Sequence, residues 1–356
     1  MANESIPVTA SRRARFPWIV PIALLAIASA FSDARADLAP GLHTGLSVTH
    51  QGIPRFYDVL VPASYDGSVA VPLVIDMHGY DRTAAIQRSF SGFAALAEAE
   101  GFLVAWPEGF PGFDPFNPVQ TWNAGSTCQN LPGIDDVGFI RAMVAAIGAV
   151  NRVDPARIYA SGNSCGGAMT HRLACEAADL FAAAAPFSWP LPIVACAPSR
   201  AMPILMTHSR DDTYILYDGG HILSDPFKPI LPGAVFGFEE WRVRDGCTGS
   251  SPDVTENPGA TSVCELYTSC SGGAKVGLCS VRTDPAIAFG HRPYQSYVLD
   301  GFNTQQRAWD FLSSFTLPAT PVPALSFRGE VLLVGLLAVA IALRYRRVLS
   351  GGNARG

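Results

Sequence analysis

The chain has 356 residues, with 25 basic and 30 acidic side chains and a formal net charge of −5. No basic stripe interrupts that balance, so nucleic acid is excluded as an expected partner. Charged residues make up only 15% and both ends are apolar, which fits an envelope protein better than a cytosolic one.

Near the start, Arg12, Arg13 and Arg15 precede an almost wholly apolar stretch, 17–30. Ala34-Arg35-Ala36 then has the small-residue pattern of a signal-peptidase site. The expected leader is 1–36, with a mature start near Asp37; an uncleaved anchor helix is the alternative. The twin arginines hint at the Tat route.

The following stretch, about 280 residues long, suits one large α/β domain or two small ones. Residues 55–62 alternate in polarity and read as an early strand. Residues 71–77 are almost continuously apolar, the mark of a strand buried on both faces. Residues 84–100 show helical periodicity and stop at Gly101, and 102–106 read as a strand. Asp135 and Asp136 open a helix that runs to Val150, both acids being placed for capping and for the helix dipole. A strand at 157–160 leads to a glycine-rich turn and a helix at 168–175. Strands at 181–187 and 202–206, a helix at 234–244, a strand at 275–281 and a helix at 305–315 complete the series. Strands alternating with helices predict an α/β fold, a mostly parallel sheet with helices on both faces. Ligands of such sheets bind beyond the carboxyl ends of the strands.

The glycine-rich turn is Gly162-Asn163-Ser164-Cys165-Gly166, a G-x-S-x-G pattern between strand and helix. That is the nucleophile elbow of the α/β-hydrolase fold, in which an acid and then a histidine follow the serine in the chain. A serine hydroxyl is a poor nucleophile until a base takes its proton, and its reaction needs N–H donors for the oxyanion. After the strand at 202–206, Asp211 or Asp212 supplies a carboxylate in a loop at the strand's carboxyl end. Of the histidines beyond it, His221 lies in a turn close behind, whereas His291 follows the strand at 275–281 and precedes the last helix, the place expected of the base. His78 and Gly79 follow the buried strand 71–77 and allow a sharp turn at the cleft; the expected oxyanion donors are the N–H groups of Tyr80 and Cys165. Trp122 is a candidate for the cleft wall, with a core position the equal alternative, and His78 has bracing of the turn as its alternative; the substrate-binding set is His78, Gly79 and Trp122. Adjacent acids at a helix start, Asp135 and Asp136, serve better as a cap than as glycosidase carboxylates.

Eight cysteines, an even number, lie inside the expected domain 37–315. In an exported chain they favour disulfides, whose connectivity spacing does not reveal. No C-x-x-C pair is present, so no zinc site is expected. A proline-rich linker, 316–328, leads to an apolar segment with a basic end, 329–347. Its apolar run is short for a full membrane span, which needs about 20 residues.

These pieces together resemble the exported esterases of the polyhydroxybutyrate depolymerase and feruloyl esterase family. The likeness extends over 55–315 and rests on the segment from Pro72 to Gly79, Trp122, Asp135 to Ile140, the elbow with its extra Gly167, Arg172 to Glu176, Tyr217 to Gly220, and Trp241 to Cys247. It implies a cofactor-free serine triad cleaving short-chain, aromatic or hydroxyalkanoate esters: Ser164 as nucleophile, His291 as base, and Asp212 as acid, four residues after His208. Three positions depart from the family pattern: Ser209 where glycine is usual, Tyr80 where cysteine is frequent, and Arg292-Pro293-Tyr294 where Trp-Pro-Gly commonly follows the histidine. Preferred disulfides within this likeness are Cys128–Cys165, Cys175–Cys196 and Cys247–Cys270. The tail, Val322-Pro323-Ala324-Leu325-Ser326, an apolar helix and then arginines, resembles PEP-CTERM-like and IPTL-type sorting signals. It implies a sorting protease or, on a simpler reading, a membrane anchor with the domain held outside. A serine peptidase and a non-catalytic surface-anchored binding protein are the alternative functions.

Overall fold

The computed structural model describes residues 37–112, 119–125, 128, 132–191 and 195–318. The expected leader, the linker from residue 319 and the apolar tail lie outside the described residues. Among the described residues no helix is long and apolar enough to cross a membrane.

Ten strands form one sheet in the order β1-β2-β4-β3-β5-β6-β7-β12-β11-β10. In chain order they are β1 (Gly41–His50), β2 (Ile53–Val61), β3 (Val71–Met77), β4 (Leu103–Pro107), β5 (Val153–Asn163), β6 (Ala183–Phe187), β7 (Ile204–Ser209), β10 (Val254–Glu256), β11 (Val263–Tyr267) and β12 (Val276–Val281). The inner run from β4 to β12 is parallel. Antiparallel strands close both edges. Two further short strands, β8 (Gly219–His221) and β9 (Ile230–Pro232), pair apart from the main sheet.

Alternation of side chains along the strands supplies two cores, one on each face. Leu73, Ile75 and Met77 of β3 point to one face, where they meet α3 (Asp136–Val150), α4 (Cys165–Glu176) and α5 (Ala234–Arg244) through Phe139, Met143, Met169, Leu173, Phe238 and Trp241. Val74 of β3 and Tyr159 of β5 point the other way, to α1 (Ala84–Ser91), α2 (Phe93–Glu100) and α6 (Thr304–Ser313). That second core contains Phe93, Phe102, Trp309 and Leu312.

Three features differ from the sequence reading. The helix expected over 84–100 is two helices, because Gly92 adopts φ 76°, a left-handed conformation that ends α1. Apolar spacing continues across the break, so periodicity alone did not show it. Strand β1 is half-buried and contains a bulge between His43 and Leu46, which blurs its alternation. Strands β10 and β11 form an antiparallel extension, where Cys264 sits directly opposite Cys279 of β12 and is bonded to it. The other disulfides are Cys128–Cys165, Cys175–Cys196 and Cys247–Cys270.

Candidate active site

Ser164 occupies the step between β5 and α4 at φ 58°, ψ −121°, an uncommon backbone for a non-glycine residue. Its surroundings leave no alternative. A Cβ on Gly166 would lie 2.1 Å from the Met77 carbonyl oxygen, and one on Gly162 would lie 2.6 Å from the Gly166 carbonyl carbon. A Cβ on Gly167 would meet the Phe187 oxygen at 2.5 Å. The glycines therefore let the start of α4 press onto the ends of β3 and β6. Phe187 also accepts a hydrogen bond from the Ser164 N–H, at 3.0 Å. The Cys128–Cys165 disulfide fastens the residue after the serine to the loop that carries Trp122.

The turn after β3 approaches the elbow closely: a Cβ on Gly79 would be 3.2 Å from the Ser164 Cβ. His78 is fully buried behind that turn. Its Nδ1–H donates to the Gly79 oxygen at 2.8 Å, and its Nε2 accepts the Gly109 N–H at 2.8 Å. Burial lowers its pKa to about 4, so the ring is neutral. Trp122, also fully buried, donates its indole N–H to the His78 carbonyl at 2.7 Å. Neither side chain reaches the cleft surface. The expectation that they contact substrate is corrected: they brace the loop that presents Gly79 and Tyr80. The N–H groups of Tyr80 and Cys165 have no acceptor among the described residues.

The acids at α3 support the same loop. Asp135 caps the helix, accepting the Gly138 N–H at 2.8 Å, and bonds His50. Asp136 is buried against Arg55 at 2.7 Å and accepts the Asn123 N–H at 2.7 Å. A buried carboxylate needs such a partner, and here it fixes the residue after Trp122.

On the other side of the cleft, Asp212 follows β7. One carboxylate oxygen accepts the N–H groups of Tyr214 and Ile215, both at 2.8 Å; the other receives His291 Nδ1 at 2.7 Å. His208 lies 3.4 Å from that second oxygen. Burial alone would raise the Asp212 pKa, but the His291 ring and the hydrogen bonds from His208 and His291 outweigh it and hold the carboxyl well below the usual carboxylate range. Asp211 faces elsewhere, pairing with Arg282 at 2.7 Å. His221 belongs to β8 and bonds the Lys228 carbonyl at 2.8 Å.

With Asp212 on Nδ1, the proton of a neutral His291 is held there, and Nε2 keeps its lone pair. Nε2 is buried and has no hydrogen-bond partner. It opens on a cleft of about 160 Å³ that is also lined by Ser164, Gly79, Tyr80 and Tyr214. His291, Ser164 and Tyr80 thus line one cleft, and acyl transfer needs a base, a hydroxyl and N–H donors set close together.

A family model described as Esterase PHB depolymerase matches residues 57–235. The chain belongs to this esterase family. Feruloyl esterase B of Piromyces equi is 37% identical over 73% of this chain, which spans 45% of that relative's length. The esterase-family chain is also 34% identical to the putative esterase NocK of Nocardia uniformis subsp. tsuyamanensis, covering 78% of this chain and 85% of the relative. Among solved structures, an acetyl xylan esterase from Aspergillus awamori shares the fold, with a TM-score of 0.52 at 16% identity over 77% of this chain and 99% of that one. In this member of the family the sequence reading missed Tyr214, whose ring stacks on His291 with centroids 5.0 Å apart. Its signal was position: two residues beyond the acid, in the same loop. It also missed Phe289, brought to the rim at φ 60° by the turn that delivers His291.

Proposed function

We propose that the chain is an exported serine hydrolase that cleaves carboxylic esters through an acyl-enzyme. His291 Nε2 takes the Ser164 proton as the hydroxyl oxygen attacks the ester carbonyl. The Tyr80 and Cys165 N–H groups stabilise the oxyanion, and Asp212 orients the imidazole and balances its charge when protonated. The protonated imidazole then gives its proton to the departing alcohol. Water, deprotonated by the same nitrogen, releases the acid and restores the serine. One observation carries this reading: the 2.7 Å bond between Asp212 and His291 leaves a buried, unpartnered Nε2 at the cleft that Ser164 lines.

Short-chain, aromatic or hydroxyalkanoate esters are the proposed substrates, the names of the relatives favouring acyl esters. Four disulfides favour an oxidising compartment. The tail is proposed to hold the enzyme at a membrane until a sorting protease removes it. A fluorophosphonate probe should label Ser164 in the folded protein, and p-nitrophenyl acetate should be turned over. Absence of both, in protein shown to be folded, would favour a binding protein on this fold.

A further inference from the structure

The cleft wall contains Arg82 and Arg292, with Tyr80, Phe90, Tyr214 and Phe289 around them, and no aspartate or glutamate. Nine arginines among the described residues form ion pairs with carboxylates. The two in the cleft do not. Arg82 reaches only its neighbour's backbone, the Asp81 oxygen at 2.8 Å. Arg292 lies over the Phe90 ring at 4.2 Å and near the Tyr297 ring at 5.9 Å. Those rings hold the guanidinium in place without neutralising it. In a chain with more acids than bases, two unpaired cations at one small cleft are a concentrated positive charge.

Their placement is as informative as their charge. Arg292 immediately follows the base, and Arg82 lies two residues beyond the oxyanion donor Tyr80. Both arginines line the cleft that Ser164 and His291 share. A guanidinium presents a planar fork of donors that fits a carboxylate. We infer that the cleft selects esters that also carry a carboxylate, held by Arg82 and Arg292. This rests on the esterase reading and states which esters that site prefers.

Two matched pairs test it: monomethyl adipate against methyl hexanoate places the charge on the acyl side, and 4-acetoxybutanoate against butyl acetate places it on the alcohol side. The expected result is a kcat/KM at least tenfold higher for the charged member of one pair. That ratio should fall toward one in Arg82→Gln/Arg292→Gln and should shrink as sodium chloride is raised. A ratio at or below one in both pairs, with the neutral esters cleaved, overturns the inference and leaves the esterase reading intact. A high ratio unchanged in the double variant also overturns it. Cleavage of neither pair by protein whose Ser164 takes the fluorophosphonate overturns the inference alone; cleavage of neither with no labelling overturns both.

Discussion

The two walls of the cleft are held by different forces. On the serine wall, backbone contacts set the geometry. Gly162, Gly166 and Gly167 have no room for a methyl group, Ser164 is fixed at positive φ, and a disulfide begins at the next residue. On the base wall, side-chain hydrogen bonds do the work. Asp212 accepts two backbone N–H groups, Thr283 bonds the Gly290 oxygen at 2.8 Å, and Ser188 bonds the His291 oxygen at 3.2 Å. Ser164 is thus positioned by sterics, which pH does not alter, and His291 by a network centred on one buried carboxylate. The first should tolerate side-chain exchange and fail under added bulk. The second should respond to charge.

The sharpest break on the serine wall is Ser164→Ala, which removes the nucleophile and leaves the backbone contacts untouched. Turnover of p-nitrophenyl acetate should drop about 10⁴-fold or more, with the thermal midpoint scarcely changed. On the base wall, Asp212→Asn should lower kcat by about 10³- to 10⁴-fold, whereas Asp211→Asn, which loses only the Arg282 pair, should cost less than about tenfold. Equal losses would erase the distinction between the two aspartates.

The charge dependence can be read in stability as well. The folded-state pKa of Asp212 lies below the unfolded value of about 3.9. The ionised carboxylate therefore contributes stability above that value and loses it as pH falls through the folded pKa. The stability gap between the parent and Asp212→Asn should be level near neutrality and narrow below about pH 4. Urea titrations across that range would show it, and a gap that widens in acid would contradict the network.

A smaller effect on activity is expected from the covalent tie. Cys128→Ala/Cys165→Ala opens a link across 37 residues of chain. The loss should be about 4 kcal/mol, or roughly 10 °C in Tm, by loop entropy. At 25 °C kcat should fall by less than about tenfold, because the glycine contacts persist. Smallest of all, Tyr214→Leu removes the ring stacked on the imidazole and should cost a few-fold in kcat/KM, on the scale of a single aromatic pair.

What the sequence showed follows the same division. The elbow was legible because sterics write themselves as glycines in a short pattern, and the parallel strands because burial on both faces leaves unbroken apolar runs. His291 was legible by its order in the chain. The choice between Asp211 and Asp212 rested on a likeness alone, since neighbouring carboxylates in one loop differ only in direction. Arg82 went unnoticed and Arg292 was seen only as a departure from the family pattern, because their lack of carboxylate partners is a property of space. His78 and Trp122 were misplaced for a related reason. A buried polar ring and a cleft ring look alike until the Gly109 N–H is found on the imidazole. Strands β10 and β11 went unread because strands of three and five residues carry little periodic signal.

The link from Cys128 to Cys165 has a consequence for where the protein can mature. It joins the loop that braces Gly79 and Tyr80 to the residue after Ser164. In a reducing compartment the two thiols stay unlinked, and the loop lacks that clasp. On the proposed reading of an exported chain, oxidation outside the cytosol would close that clasp, so the loop would gain its last tie only after export.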